Sequence, residues 1–414
     1  MDISNLRIDE GRLRKSLEIM AEIGATAGGG VHRLTLSDED KRARGLFVAW
    51  LKELDLDVVI DEMGNIFGRR AGRNNALAPV MAGSHIDTQP SGGRFDGILG
   101  VMGALEVMRT IHEAGLETER PLVVADWTNE EGSRFAPAMM GSGVWAQKLD
   151  RNWAYARTDS AGRRFVDELE RIGYRGTIPA TLAPVHAYYE YHIEQGPVLE
   201  REGKTIGVPQ GILGILWCDV TLEGTANQVG PTPMEGRNDA LCAAAEMILK
   251  INSLPERMGG AMVATVGEIH NRPNSRNIIP DRVRFTVDIR SWEEALIGAA
   301  WAKAREEFCA VAEKRGCGIQ VEEIWRVAPM PFNEHLVKRV SETARTLGLP
   351  TLSMISGAGH DAGYLSMVAP TAMIFVPSIG GRSHVEVEKT RWEHCAAGTD
   401  VLLHCILASA NEME

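Results

Sequence analysis

Four short apolar runs along the chain each give way to histidine or acidic residues. Ala78, Val80 and Met81 lead into His85 and Asp87, and a Gly-rich turn then brings up Asp96. Leu122–Asp126 ends in Asn129-Glu130-Glu131-Gly132. Residues 188–193 end in His192-Ile193-Glu194-Gln195-Gly196, and residues 371–377 lead to Gly380-Gly381-Arg382-Ser383-His384. Strand-like runs followed by polar loops are the pattern of an open α/β sheet whose site lies beyond the strand C-termini. Imidazole and carboxylate delivered together suit a divalent cation. Neighbouring residues of a strand end, such as Glu130 and Glu131, point to opposite sides. One can therefore ligate a cation while the other handles the proton of a water. Solvated polar loops are the alternative to a metal site.

Between these runs the spacing predicts helices over 10–23, 38–54 (capped by Ser37) and 98–113, with a hairpin over 58–69 turning at Gly64-Asn65. Residues 134–147 read as loop then helix, and 150–183, rich in charge and glycine, as short helices and loop. Past Gly211 the order changes to strand (215–223), helix (238–251), two strands (262–269 and 282–290), helix (293–314) and strand (318–325). That β-α-β-β-α-β order is the split βαβ, ferredoxin-like arrangement. A helix over 334–347 and the 371–377 strand then resume the first pattern. The expected architecture is α/β. Residues 1–211 and 330–414 form a discontinuous mixed-sheet catalytic domain with helices on both faces. Residues 212–329 form an inserted domain.

Composition narrows the class. The 414 residues are 44% hydrophobic and 24% charged, as in an ordinary globular protein, and long enough for two domains. A net charge of −12 without a basic stripe excludes nucleic acid and anionic membrane as expected partners. No apolar run has signal-peptide or membrane-span character. Six scattered cysteines without a C-x-x-C pair read as thiols in a reducing compartment, so the expected location is cytoplasmic.

Taken together, GSHIDTQPSGGRFDG (83–97), the Asn129-Glu130-Glu131 triplet, HIEQGPVLE, GPTPMEGRNDA, the 274–280 run ending NIIP, Asp288-Ile289-Arg290-Ser291, SGAGHDA and Ser383-His384 resemble the M20 peptidase superfamily of dinuclear-metal amidohydrolases. HIEQGP narrows the resemblance to the carbamoylase branch: N-carbamoyl-L-amino-acid hydrolases, β-ureidopropionases, and allantoate and ureidoglycolate amidohydrolases. The resemblance implies two divalent ions (zinc, or manganese, cobalt or nickel), one on His85 and His192, the other on Glu131 and His384, with Asp96 bridging. It implies Glu130 as general base and Asp87 as an acceptor orienting His85. It also implies a small ureido or amide substrate with a carboxylate, held by Arg290 with Gln195 and Asn277, and a homodimer, with a lid and dimerisation role for the inserted domain 212–329. His360 falls in a matching loop, with no role attached.

One position departs from the pattern: Gln228 stands where the family has a histidine proposed to stabilise the oxyanion. A Gln amide can donate a hydrogen bond there but carries no positive charge. Trp217 occupies a place where allantoate-cleaving relatives tend to have a basic residue, which favours a simpler N-carbamoyl amino acid; packing at a domain junction is the other reading. The expected reaction is cleavage of an N-carbamoyl-L-amino acid to amino acid, carbon dioxide and ammonia. The alternatives are an allantoate or ureidoglycolate amidohydrolase, an aminoacylase or dipeptidase, and, more remotely, a metal-containing binding protein without catalysis.

Overall fold

The computed structural model describes residues 4–181 and 183–412; residues 1–3, 182, 413 and 414, which fall within the expected ranges 1–211, 150–183 and 330–414, lie outside that description. The chain forms two compact units, Met1–Gly211 with Pro331–Glu414, and Ile212–Met330.

The first unit is built on a nine-stranded mixed sheet. Its order is Asp57–Ile60, Ile66–Arg70, Leu122–Asp126, Val80–Ser84, Ala187–Ile193, Thr371–Val376, Ile206–Ile212 and Met330–Pro331, with Thr351–Ser356 paired to Ile206–Ile212. The four strands from Leu122–Asp126 to Thr371–Val376 run parallel. All their residues are buried, so they read as largely apolar runs rather than alternating ones, with Glu190 and His192 interrupting Ala187–Ile193. Their register sets the site. Ser84 lies opposite Asp126, and His192 opposite Phe375, so the C-terminal ends of these strands are level.

Helices cover both faces. On one, Ile98–Glu113 and Trp392–Ala410 seat on the strand carrying Tyr191. A Cβ at Gly100 would stand 2.3 Å from the Tyr191 carbonyl, and one at Gly398 2.4 Å from its ring, so both close approaches require glycine. On the other face, Glu190 accepts from the Ala362 N–H of helix Asp361–Ser366 at 2.7 Å. Adjacent strand residues point to opposite faces, which places the two helix layers.

The pattern does not mark helix Trp392–Ala410, nor strands Ile206–Ile212 and Thr351–Ser356. In the helix the buried set Cys395, Gly398, Thr399, Val401, Leu402, Leu403, Cys405, Ile406 and Leu407 runs most of the way round, leaving no apolar stripe to detect.

The second unit is a five-stranded antiparallel sheet. The single strand expected over 262–269 is broken. Met262–Thr265 pairs with 288–291 and Ile269–Arg272 with 282–285 of the same neighbour, while Glu268 O accepts from Thr286 N at 3.1 Å between them. Counted as one, the broken run completes the β-α-β-β-α-β order. Strand Arg282–Ser291 turns Val283, Phe285, Val287 and Ile289 towards helices Ala240–Asn252 and Glu294–Arg315, closing a core with Leu216, Val220, Leu222 and Phe308. Among the described residues, no helix is long and apolar enough to cross a membrane.

Candidate active site

The level strand ends deliver two buried imidazoles. His85 Nδ1 lies 2.9 Å from the Asp87 carbonyl and His192 Nδ1 2.9 Å from the Ile193 carbonyl. A carbonyl only accepts, so each Nδ1 carries the proton and each Nε2 turns inward as the coordinating atom. The turn that follows the first strand comes close. Gly97 has φ +67°, and a Cβ there would fall 2.3 Å from the His85 ring.

Asp96 faces both sides of the cluster. Its Oδ1 is 3.1 Å from His192 Nε2 and its Oδ2 3.2 Å from His384 Nε2. Glu131 Oε2 lies 3.6 Å from the same His384 nitrogen. His85, Asp96 and His192 form one group whose ligand atoms lie within 4.8 Å of one another, and Asp96, Glu131 and His384 form a second. His384 follows two glycines at positive φ and itself sits at φ +58°, an uncommon conformation for a residue with a Cβ. Its side chain is 50% exposed while the other ligands are buried, so the cluster opens to solvent on that side.

The donor chemistry fits divalent cations. With Nδ1 already donating, the His192 Nε2 contact to Asp96 is favourable only with a second proton or a shared cation. Burial opposes a charged His192, but Asp96 outweighs it and raises the imidazole to about 9. The Asp96 hydrogen bond likewise raises His384 to about 9. Burial leaves His85 lowered to about 4, a neutral imidazole ready to coordinate. Burial and then Asp96 push Glu131 up to about 8. Glu130, whose Oε2 lies 3.5 Å from His85 Nε2, is raised well above the carboxylate range by burial, then by the charges of Asp361 and Glu131. Carboxylates so crowded hold protons they would release to a cation.

The surrounding shell differs in part from the sequence expectation. Asp87, expected as an acceptor that orients His85, meets the ring N–H with its backbone carbonyl, its Oδ1 lying 3.8 Å from the same nitrogen. Its carboxylate instead accepts from the backbone N–H groups of Glu130 at 3.2 Å and Glu131 at 3.3 Å, fixing the glutamate pair. Asn129, at φ +61°, ties the following loop through its amide to the Phe135 and Pro137 carbonyls. Gln195 Nε2 donates to Asp96 Oδ2 at 3.0 Å, so this expected substrate contact sits among the ligand side chains. His360 packs its ring 4.6 Å from that of His192, and burial holds it neutral. Three residues to which the sequence pattern assigns no role reach the ligands or their loops: Gln89, which donates to Glu131 from Nε2 at 2.7 Å and from its backbone, Ser383 as a donor to Asp96, and Glu388 as an acceptor from the Phe95 N–H.

The other expected site residues belong to the second unit. Gln228 and Asn277 come together where the short strand Asn227–Gln228 pairs with Ile278–Ile279, the Val229 N–H reaching the Asn277 carbonyl at 3.1 Å. Both side chains are exposed. Arg290 forms an ion pair with Asp288 of its own strand at 2.8 Å, and Trp217, 41% exposed, stacks edge-on against Trp325 with centroids 4.9 Å apart.

Residues 81–408 match the model of peptidase family M20/M25/M40. An N-carbamoyl-L-amino-acid amidohydrolase of Rhizobium meliloti is 44% identical over 410 residues, 99% of each chain. One from Geobacillus stearothermophilus is 37% identical, covering 95% of this chain and 97% of its own. Among solved structures, an amidase of the hydantoinase/carbamoylase family from Burkholderia multivorans superposes with a TM-score of 0.93 at 47% identity, over 99% of this chain and 100% of the other. With its histidines and carboxylates gathered at the ends of parallel strands and this likeness extending over nearly its whole length, the chain belongs to peptidase family M20/M25/M40, in the carbamoylase branch.

Proposed function

We propose that the protein hydrolyses an N-carbamoyl-L-amino acid to the amino acid, carbon dioxide and ammonia. The observation that carries the reading is Asp96, whose two oxygens face imidazoles of two separate ligand groups, as a carboxylate shared by two cations must. His85, His192 and Asp96 would hold one divalent ion, and Asp96, Glu131 and His384 the other. Zinc, manganese, cobalt and nickel all suit nitrogen and oxygen donors without thiolate. Such ions supply Lewis acidity towards the ureido carbonyl and lower the pKa of a water.

The chain's own residues do the rest. Glu130 accepts the proton of the attacking water and returns it to the leaving nitrogen. Asp87 keeps Glu130 and Glu131 in register by holding their backbone N–H groups. Gln195 anchors Asp96 and lies where a substrate would meet the exposed His384 side. Arg290 offers a planar fork to the substrate carboxylate and would exchange its Asp288 partner for it. Gln228 would donate to the developing oxyanion, with Asn277 beside it as a polar contact, and Trp217 would bound the side-chain pocket. The Ile212–Met330 unit would act as lid and dimerisation surface in a cytoplasmic homodimer.

The test is turnover by protein reconstituted with each metal in turn, read as ammonia release from N-carbamoyl and allantoate substrates and as newly freed amino groups from N-acyl and dipeptide ones. Turnover led by N-carbamoyl-L-amino acids is the expected result. Absence of turnover on every N-carbamoyl compound overturns the reading.

A further inference from the structure

Glu388 makes none of the ligand contacts described above, yet it is 1% exposed and reaches two of the loops that carry ligands. Its Oε1 accepts from the backbone N–H groups of Phe95 at 3.1 Å and Asp96 at 3.0 Å. Its Oε2 accepts from the Ser383 hydroxyl at 2.9 Å, one residue before His384. Gly93 gives it room: a Cβ there would lie 1.9 Å from Glu388 Oε1. A single carboxylate thus bolts the Asp96 turn to the His384 loop, nearly 300 residues apart in sequence.

The Ser383 hydroxyl lies between Glu388 and Asp96. Its oxygen lies 3.1 Å from Asp96 Oδ2, 2.9 Å from Glu388 Oε2 and 3.1 Å from the Gln195 amide nitrogen. A hydroxyl has one proton to donate. Gln195 donates into Ser383, so that proton goes to one carboxylate or the other. With Gln195 already donating to Asp96 Oδ2, that oxygen keeps a lone pair for a cation only when Ser383 turns its proton to Glu388.

We propose that Glu388 is a positioning residue for the Asp96–Glu131–His384 ion, acting by fixing the Asp96 backbone and by drawing the Ser383 proton away from Asp96 Oδ2. The inference rests on the two-ion reading of the site and deepens it. Glu388→Gln separates the two actions. The amide oxygen keeps the Phe95 and Asp96 N–H groups, but its NH2 now faces Ser383 and sends the hydroxyl proton back to Asp96. Removing the partner of a ligating carboxylate typically costs 10- to 100-fold in metal affinity.

Zinc affinity and stoichiometry, measured by competition with a chelator on metal-free full-length protein, test this alongside the melting temperature of the same metal-free samples. Wild type is expected to bind two zinc ions. Glu388→Gln is expected to weaken one of them by roughly 10- to 100-fold with an unchanged metal-free melting temperature. Adding Ser383→Ala to Glu388→Gln should recover much of that affinity, because the misdirected proton is gone; a merely structural role for Glu388 predicts no such recovery. Glu388→Gln that binds both ions as wild type does, or a double variant no better than Glu388→Gln, overturns the inference while leaving the two-ion reading intact. Wild type that binds fewer than two zinc ions overturns both.

Discussion

The two units hold their proposed functional residues in opposite ways. In the first, His85, Asp96 and His192 are buried, and each ligand-bearing loop leaves a strand paired along its length with at least one neighbour. Backbone groups complete the arrangement: the Asp87 and Ile193 carbonyls set the imidazoles, and the Asp87 carboxylate sets the glutamates. In the second, Gln228 and Asn277 stand exposed on a two-stranded pair, and Arg290 pairs with Asp288 two residues away on its own strand. A buried, over-determined set keeps its geometry at the cost of tolerance to change. An exposed set can alter its specificity without unsettling a core. The first region should therefore govern whether any reaction occurs, and the second which substrate is favoured.

This division can be broken from the first side. Asp96→Ala removes the carboxylate proposed to be shared and should abolish binding of both ions together with all activity, read as metal content after dialysis. Retention of both ions would show that Asp96 is not shared. Glu130→Gln should leave metal content intact and lower kcat by roughly 100- to 10,000-fold for every substrate, as expected for loss of a general base. A selective loss on one substrate would contradict it.

Changes in the second unit should be smaller and selective. Arg290→Ala removes charge-assisted hydrogen bonds of about 1.5–3 kcal/mol, so KM for carboxylate substrates should rise on the order of 10- to 100-fold while metal content stays constant. A fall in metal content instead would erase the distinction between the regions. Gln228→His restores a donor that can carry charge. It should raise kcat by less than the 100-fold or more that an entire oxyanion donor is worth, because an amide at this position can itself donate. A change in substrate ranking without a change in rate would place Gln228 in specificity rather than in charge stabilisation.

The central strands were legible because burial on both faces leaves largely apolar runs, and their polar ends drew attention to His85, Glu130, Glu131, His192 and His384. Helix Trp392–Ala410 was not, since burial around most of its circumference erases the period that marks a surface helix. The broken strand over 262–272 was missed for a related reason: both halves keep the same partner, and only the pairing reveals the interruption.

By itself the sequence determined the kinds of donor present, their order along the chain and the run lengths that make strands, because these depend on local pattern. The tertiary structure alone decided that Asp96 faces two imidazoles, that Asp87 serves His85 with its backbone and the glutamates with its side chain, and that Glu388 ties Asp96 to Ser383. Those contacts depend on the register of parallel strands and on atoms hundreds of residues apart meeting within about 3 Å, the reach of a hydrogen bond, which no local pattern encodes.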